Sequence, residues 1–171
     1  DVCSSDLRRL LGLETLHGLL QRRRRPNAVF LMAGGFGTRL QPLTDNCPKP
    51  LLKVGDKPIL ELIVENFASA GFHRFFVSTH YMGEMIHEHF GDGSRWGVSI
   101  RYVHEEHPLG TAGALGLLPH DEIDQPIFMM NGDLLTNLNF DNLLKFHEKH
   151  SAIATMCVRE YERSEEHTSE L

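Results

Sequence analysis

Ala28-Val29-Phe30-Leu31-Met32-Ala33 runs without a break into Gly34-Gly35-Phe36-Gly37-Thr38-Arg39-Leu40. An apolar run of this length, closed by a glycine-rich turn, predicts a β-strand that delivers a loop. Glycine has a physical purpose in such a loop. Without Cβ atoms, Gly34, Gly35 and Gly37 are free to adopt positive φ, and consecutive backbone N–H groups approach phosphate oxygens closely. The turn therefore reads as a phosphate cradle. Other glycine motifs fit poorly, since a Walker loop needs GxxxxGK[ST] where Gly37 is followed by Thr38-Arg39, and the GxGxxG spacing of a dinucleotide fingerprint is absent.

Working outward, further strand-like runs recur at Arg74 to Thr79, Val98 to Val103, Ile127 to Met130 and Ala152 to Val158, with helix-like segments between most of them. That alternation predicts an α/β fold with a mainly parallel sheet and right-handed crossovers. Leu60, Ile63, Val64 and Phe67 share one helical face, with Pro58 before and Gly71 after as helix punctuation. Further helices are expected at Gly83 to Phe90, at Thr111 to Leu118, and at Asp141 to His150, where Leu143, Leu144 and His147 share a face. No internal repeat or low-complexity tract interrupts the pattern.

With 171 residues, 41% of them hydrophobic and 23% charged, one domain is the expectation. A formal charge of -6 offers no general field for nucleic acid or an anionic membrane, so phosphate must be held locally. Cys3, Cys47 and Cys157 form no CxxC pair. Neither a zinc site nor a disulfide scaffold is indicated, and a reducing cytoplasm fits. No apolar run approaches the roughly 18 residues that span a bilayer. His87-Glu88-His89 and His104-Glu105-Glu106-His107 lack the spacing of a zinc HExxH helix.

The run Arg22-Arg23-Arg24-Arg25-Pro26 reads as a solvated linker. Asp1 to Leu7 and Ser164 to Leu171 resemble translated sequencing-adaptor sequence, and Leu11-Gly12-Leu13-Glu14-Thr15-Leu16 with Leu19-Leu20 resembles the closing strand and helix of a CBS regulatory domain. The expected organisation is a non-native start, CBS tail and linker over 1–25, the main domain over 26–163, and a non-native tail over 164–171.

Arg39 offers a planar fork for phosphate oxygens, and Lys49, held between Pro48 and Pro50, offers a compact point charge. Together they frame one anion site. Ala-Gly-Gly-x-Gly-Thr-Arg-Leu followed by Pro-Lys-Pro-Leu-Leu resembles the signature of the sugar-1-phosphate nucleotidyltransferases, a family that includes mannose-1-phosphate guanylyltransferases. Pro108-Leu109-Gly110-Thr111-Ala112-Gly113 and Asn131-Gly132-Asp133 agree in order and spacing, so the resemblance covers residues 27 to about 160.

The resemblance implies a three-layer α/β/α Rossmann-like nucleotidyltransferase domain, incomplete at the C-terminus. It implies transfer of a nucleotidyl group from an NTP to a sugar 1-phosphate, with release of pyrophosphate. Ala33, Gly34, Gly35, Gly37 and Thr38 would bind the nucleotide, with Gly110 and Thr111 as the base-and-ribose loop. Arg39, Lys49 and Asp133 would be catalytic, and Asp133 would hold the Mg²⁺ cofactor at the α-phosphate. Glu105 stands where relatives set a side chain against the base edge, although Glu106 is adjacent. A carboxylate accepts from both the N1–H and N2 amino donors of guanine, which favours GTP. Nucleic acid and membrane are not expected partners, and a homo-oligomer is left open. Two other readings are a glycosyltransferase, whose metal motif is typically Asp-x-Asp where this chain has Asn131, and a nucleotide-sensing module without catalysis.

Overall fold

The computed structural model describes residues 2–6, 9–14, 24–107, 109–110 and 112–158. Two compact units divide the chain, Asp1–Asn137 and Leu138–Leu171.

In the first unit, β1 (Val2–Asp6) and β2 (Arg9–Glu14) pair antiparallel. The strand of the CBS resemblance falls on β2, whereas its helix lies outside the described residues. The residues set aside as a foreign start thus contribute a backbone ladder. The main sheet follows with β3 (Arg25–Met32), β6 (Phe72–Thr79), β7 (Ser99–His104) and β8 (Phe128–Asn131). Its order is β7-β6-β3-β8 and every pairing is parallel. The chain therefore steps from β3 out through β6 to β7, then returns to the opposite side of β3 with β8.

β3 begins at Arg25, not at Ala28, so the basic run does not end as a solvated linker. Arg25 N donates to Gly71 O at 2.9 Å and its guanidinium lies 5.6 Å from the Phe72 ring centroid. The register shifts between Arg25 and Ala28, across Pro26, which has no N–H to give a ladder. Arg22 and Arg23 lie outside the described residues.

Alternation along β3 sends side chains to two faces. On one face lies α1 (Ile59–Ser69), whose Leu60, Ile63, Val64 and Phe67 are all buried as the helical period requires. The Phe67 ring meets Phe72, Phe75 and Phe128 edge-on at 5.5, 6.2 and 5.7 Å. Helix α2 (Gly83–Phe90) adjoins α1 through His89 Nε2 and Glu61 Oε2, 2.8 Å apart. His87 stacks on Tyr102 of β7 at 3.8 Å. On the other face Ala28, Phe30 and Phe76 cluster with Ala114 and Leu118.

That second layer is not the α-helix expected at Thr111 to Leu118. A 3-10 helix, Gly113–Leu117, takes its place. Gly110 at φ +75° and Ala112 at φ -132° are not helical, and Gly113 and Gly116 favour helix weakly. Between β3 and α1, β4 (Lys53–Val54) and β5 (Lys57–Pro58) form a hairpin on the Gly55-Asp56 turn, too short to register as strands in the sequence. The α1 start is tied to it, because Ile59 N donates to Leu52 O at 3.0 Å.

In the second unit, α3 (Phe140–Lys149) is capped by Asn139 Oδ1, which accepts from Asn142 N at 2.9 Å. The strand expected at Ala152 to Val158 does not form. A strand exists by pairing, and this segment has no ladder partner among the described residues, leaving Ile153, Met156 and Val158 exposed.

Candidate functional site

The reversal of strand order beside β3 sets the site. In open α/β sheets, ligands bind beyond the carboxyl ends of strands where the order switches direction. Here β3 and β8 end side by side on the pair Met32↔Asn131. The glycine loop leaves one strand and Gly132-Asp133 leaves the other, stitched by a hydrogen bond from Gly132 N to Met32 O at 2.8 Å. A Cβ on Gly132 would stand 3.0 Å from that same carbonyl, so the close approach needs glycine.

A cleft of about 360 Å³ opens at this point. Ala33, Gly34, Gly35, Lys49, Glu105, Gly110 and Asp133 line it, joined by Met32, Phe36, Pro50 and Asn131. Gly37, Thr38 and Arg39 do not. Gly37 shapes the turn from behind at φ +67°, its carbonyl accepting from Thr44 Oγ1 at 2.9 Å. Thr38 and Arg39 are exposed on the 3-10 turn Thr38–Leu40. Thr111 lies outside the described residues. Of the three loop glycines, only Gly37 has the positive φ that the sequence suggested for all of them.

Lys49 sits on the 3-10 turn Lys49–Leu51, aimed by Pro48 and Pro50, and forms an ion pair with Asp133 Oδ2. Beside it, Cys47 directs its thiol to Pro48 O at 3.7 Å, and burial raises the thiol pKa above its ordinary value. A thiol held in that state is a poor nucleophile.

Glu105 and Glu106 part company. Glu105 is only 6% exposed and faces the cleft, while Glu106 is exposed. Glu105 N donates to Thr79 O at 2.9 Å, and Glu105 Oε2 accepts from Leu109 N at 3.3 Å, which ties the residue to β6 and to the Gly110 turn. His80 Nδ1 lies 2.7 Å from Glu105 O. A carbonyl only accepts, so the imidazole proton sits on Nδ1. Gly34 makes room for this arrangement, since a Cβ there would stand 3.0 Å from Glu105 Oε1 and 3.3 Å from His80 Cβ.

Sequence reasoning missed His80, Thr44 and Phe36. Phe36 occupies the variable position of the glycine loop, exposed at the cleft with its ring 5.3 Å from His80 and 5.6 Å from Tyr81. The position only spaces the motif, so no local signal marked it. Thr44 and His80 act through partners that only folding brings near.

Asp133 suits a hard divalent cation. Mg²⁺ takes one or two carboxylates and completes its shell with phosphate oxygens and water, and the Asp133 side chain is 26% exposed at the cleft. Among the described residues, no group of three or more His, Cys, Asp or Glu side chains could cage a metal ion alone. No described helix is long and apolar enough to cross a membrane.

A parallel sheet with helices, a glycine loop and a carboxylate meeting at its switch point, defines a Rossmann-like α/β domain. The chain belongs to the nucleotidyl transferase family, whose model matches residues 28–168. It is 38% identical over 137 residues to a mannose-1-phosphate guanylyltransferase catalytic subunit beta of Danio rerio, a match covering 78% of this chain and 38% of that protein. With a mannose-1-phosphate guanylyltransferase of Mycobacterium tuberculosis it shares 37% identity over 126 residues, covering 74% of this chain and 35% of that protein. The chain thus spans well under half the length of these relatives.

Among solved structures, it resembles HddC from Yersinia pseudotuberculosis complexed with GMP-PN, with a TM-score of 0.62 and 27% identity, covering 71% of this chain and 54% of that one. A UDP-glucose pyrophosphorylase complexed with UDP-glucose aligns at a TM-score of 0.61 over 73% of this chain and 54% of that one. At 18% identity that likeness concerns the fold alone.

Proposed function

We propose that this chain is the nucleotide-binding part of a sugar-1-phosphate nucleotidyltransferase that takes GTP in preference to other NTPs. The reaction is attack of a sugar 1-phosphate oxygen on the α-phosphorus of the NTP, in line with departing pyrophosphate, giving an NDP-sugar. The observation that carries the reading is the meeting of the glycine loop and Asp133 in one cleft at the switch point of the sheet, in a chain of this family.

No protein nucleophile is required. Amides of Gly34 and Gly35 would bind phosphate oxygens, with Ala33, Gly37 and Thr38 holding the loop in shape, and Lys49 would neutralise charge that builds on the phosphates in the transition state. Arg39, exposed on its turn, would fold over the bound triphosphate. Asp133 would hold Mg²⁺, which would supply further charge neutralisation to the phosphates. Gly110 and Thr111 would flank base and ribose.

The inward position of Glu105 supports the guanine assignment. Its carboxylate is an acceptor for N1–H and the N2 amino group, whereas the single N–H of uracil or thymine lies between carbonyls that the carboxylate would repel. The guanylyltransferase names of the relatives point the same way.

Calorimetry of the chain with each Mg·NTP tests the assignment: GTP should bind tightest, and Glu105→Gln should weaken GTP while leaving UTP little changed. Preference for UTP or dTTP would overturn the base assignment. Binding of no NTP would overturn the function. In a longer protein containing this region, release of pyrophosphate is expected, and release of NDP would indicate a glycosyltransferase instead.

A further inference from the structure

Lys49 and Asp133 reach the cleft from separate segments, Lys49 on the turn after Pro48 and Asp133 on the turn after β8, and their side chains close on each other as an ion pair. Neither is sealed off: the two side chains are 37% and 26% exposed. Both groups are thus held by one another while remaining open to exchange of partners.

Charge decides what that exchange requires. A divalent cation arriving alone would bring two positive charges up to an Asp133 carboxylate already matched by the ammonium, with Glu105 the other carboxylate lining the cleft. Like charges at contact distance repel strongly in a cleft with partial solvent access. A triphosphate alters the balance, because its oxygens give the ammonium a new partner and leave the carboxylate free for the metal.

Resting on the proposed nucleotide reading of this cleft, we infer that Lys49 is the built-in counter-ion of Asp133, competing with free Mg²⁺ for the carboxylate until a nucleotide draws the ammonium onto its phosphates. Nucleotide and metal then each favour the binding of the other, and the nucleotide-free chain holds a divalent ion more weakly. Lys49 acts on metal occupancy by competing for Asp133, separately from its contact with phosphate.

The test uses the whole 171-residue chain and Mn²⁺ alone as the probe, with free Mn²⁺ followed by electron paramagnetic resonance. Lys49→Met is expected to bind Mn²⁺ about fivefold tighter than the parent, the factor an ion pair of this exposure contributes to an equilibrium. Arg39→Met removes the same charge from a residue outside the cleft and should change Mn²⁺ affinity by less than about twofold.

A reciprocal arm uses GTP in EDTA. Asp133→Asn should bind metal-free GTP about fivefold tighter than the parent, because Lys49 is released to the phosphates. Unchanged Mn²⁺ affinity in Lys49→Met, or a change no larger than that in Arg39→Met, overturns the counter-ion role. The parent titrated with Mg·GTP separates the two claims. If it binds and Lys49→Met leaves Mn²⁺ affinity unchanged, only the counter-ion role falls; if it does not bind, the nucleotide reading falls with it.

Discussion

Gly37 holds φ at +67°, and a methyl group added there would stand 2.9 Å from Thr44 Cγ2. Gly35 has no such conformation, and a methyl added to it would meet nothing within 4 Å. Two glycines of one motif therefore differ: Gly37 makes the turn, whereas Gly35 lines the cleft, where the proposed phosphate contact would need its amide uncovered. Gly37→Ala is expected to lose about 1–2 kcal/mol of stability, the cost of a side chain in the left-handed region, read by denaturant titration. Gly35→Ala should unfold at the parent's midpoint yet lose at least about tenfold in Mg·GTP affinity, equivalent to ~1.4 kcal/mol. Equal stability losses in the two variants would contradict this division. Glycine spacing was legible in the sequence because the motif is contiguous. Which glycine shaped the turn was not, because Thr44 and the Glu105 carboxylate press on the loop only after the chain folds.

At the scale of elements, α1 is the joint between the sheet and its outer layer. Its apolar face was readable because a 3.6-residue period repeats within the helix itself. Phe67 concentrates that contact, its ring meeting aromatic rings on β6 and β8. Phe67→Ala should cost about 3–5 kcal/mol, a large share of the roughly 5–15 kcal/mol that holds a domain together. By contrast, Ile153→Ala should stay within about 0.5 kcal/mol, since Ile153 is fully exposed. The failed strand at 152–158 and the 3-10 turn at Gly113–Leu117 share one cause: local preference proposes an element, but ladder partners and neighbouring φ angles decide it.

Between elements, two imidazoles should make folding sensitive to pH. Burial lowers the pKa values of His73 and His87 from the usual 6.5, helped by Arg24 and Arg74 at the first and by His104 at the second. The unfolded chain then takes up protons first, so stability is full above about pH 6.5 and declines as pH falls from there toward the folded values. The melting temperature should drop on going from about pH 7.5 to about pH 5.5, and His73→Gln combined with His87→Gln should flatten that slope. An unaltered slope in the double variant would rule out these groups as its source.

For the whole molecule, the decisive feature is that the chain goes outward from β3 on one side and comes back on the other. This reversal sets the glycine loop and Asp133 together, and a ligand seated between them should tie β3 to β8. Mg·GTP at about a hundredfold its Kd should add ~2.7 kcal/mol of stability, raising the melting temperature by about 5–10 °C in a domain of this size. A smaller rise is expected in EDTA, and no rise with Mg·GTP would speak against a nucleotide cleft. By itself, the sequence determined the α/β class, the glycine loop that follows the first long strand and the identities of the charged groups near it, because periodicity and motif chemistry reside in residues close along the chain. Only the tertiary structure decided that β8 lies beside β3, that Glu105 and not Glu106 turns inward, and that Lys49 closes on Asp133. Strand order and register bring those partners together across long loops, and such contacts leave no trace in local residue preference.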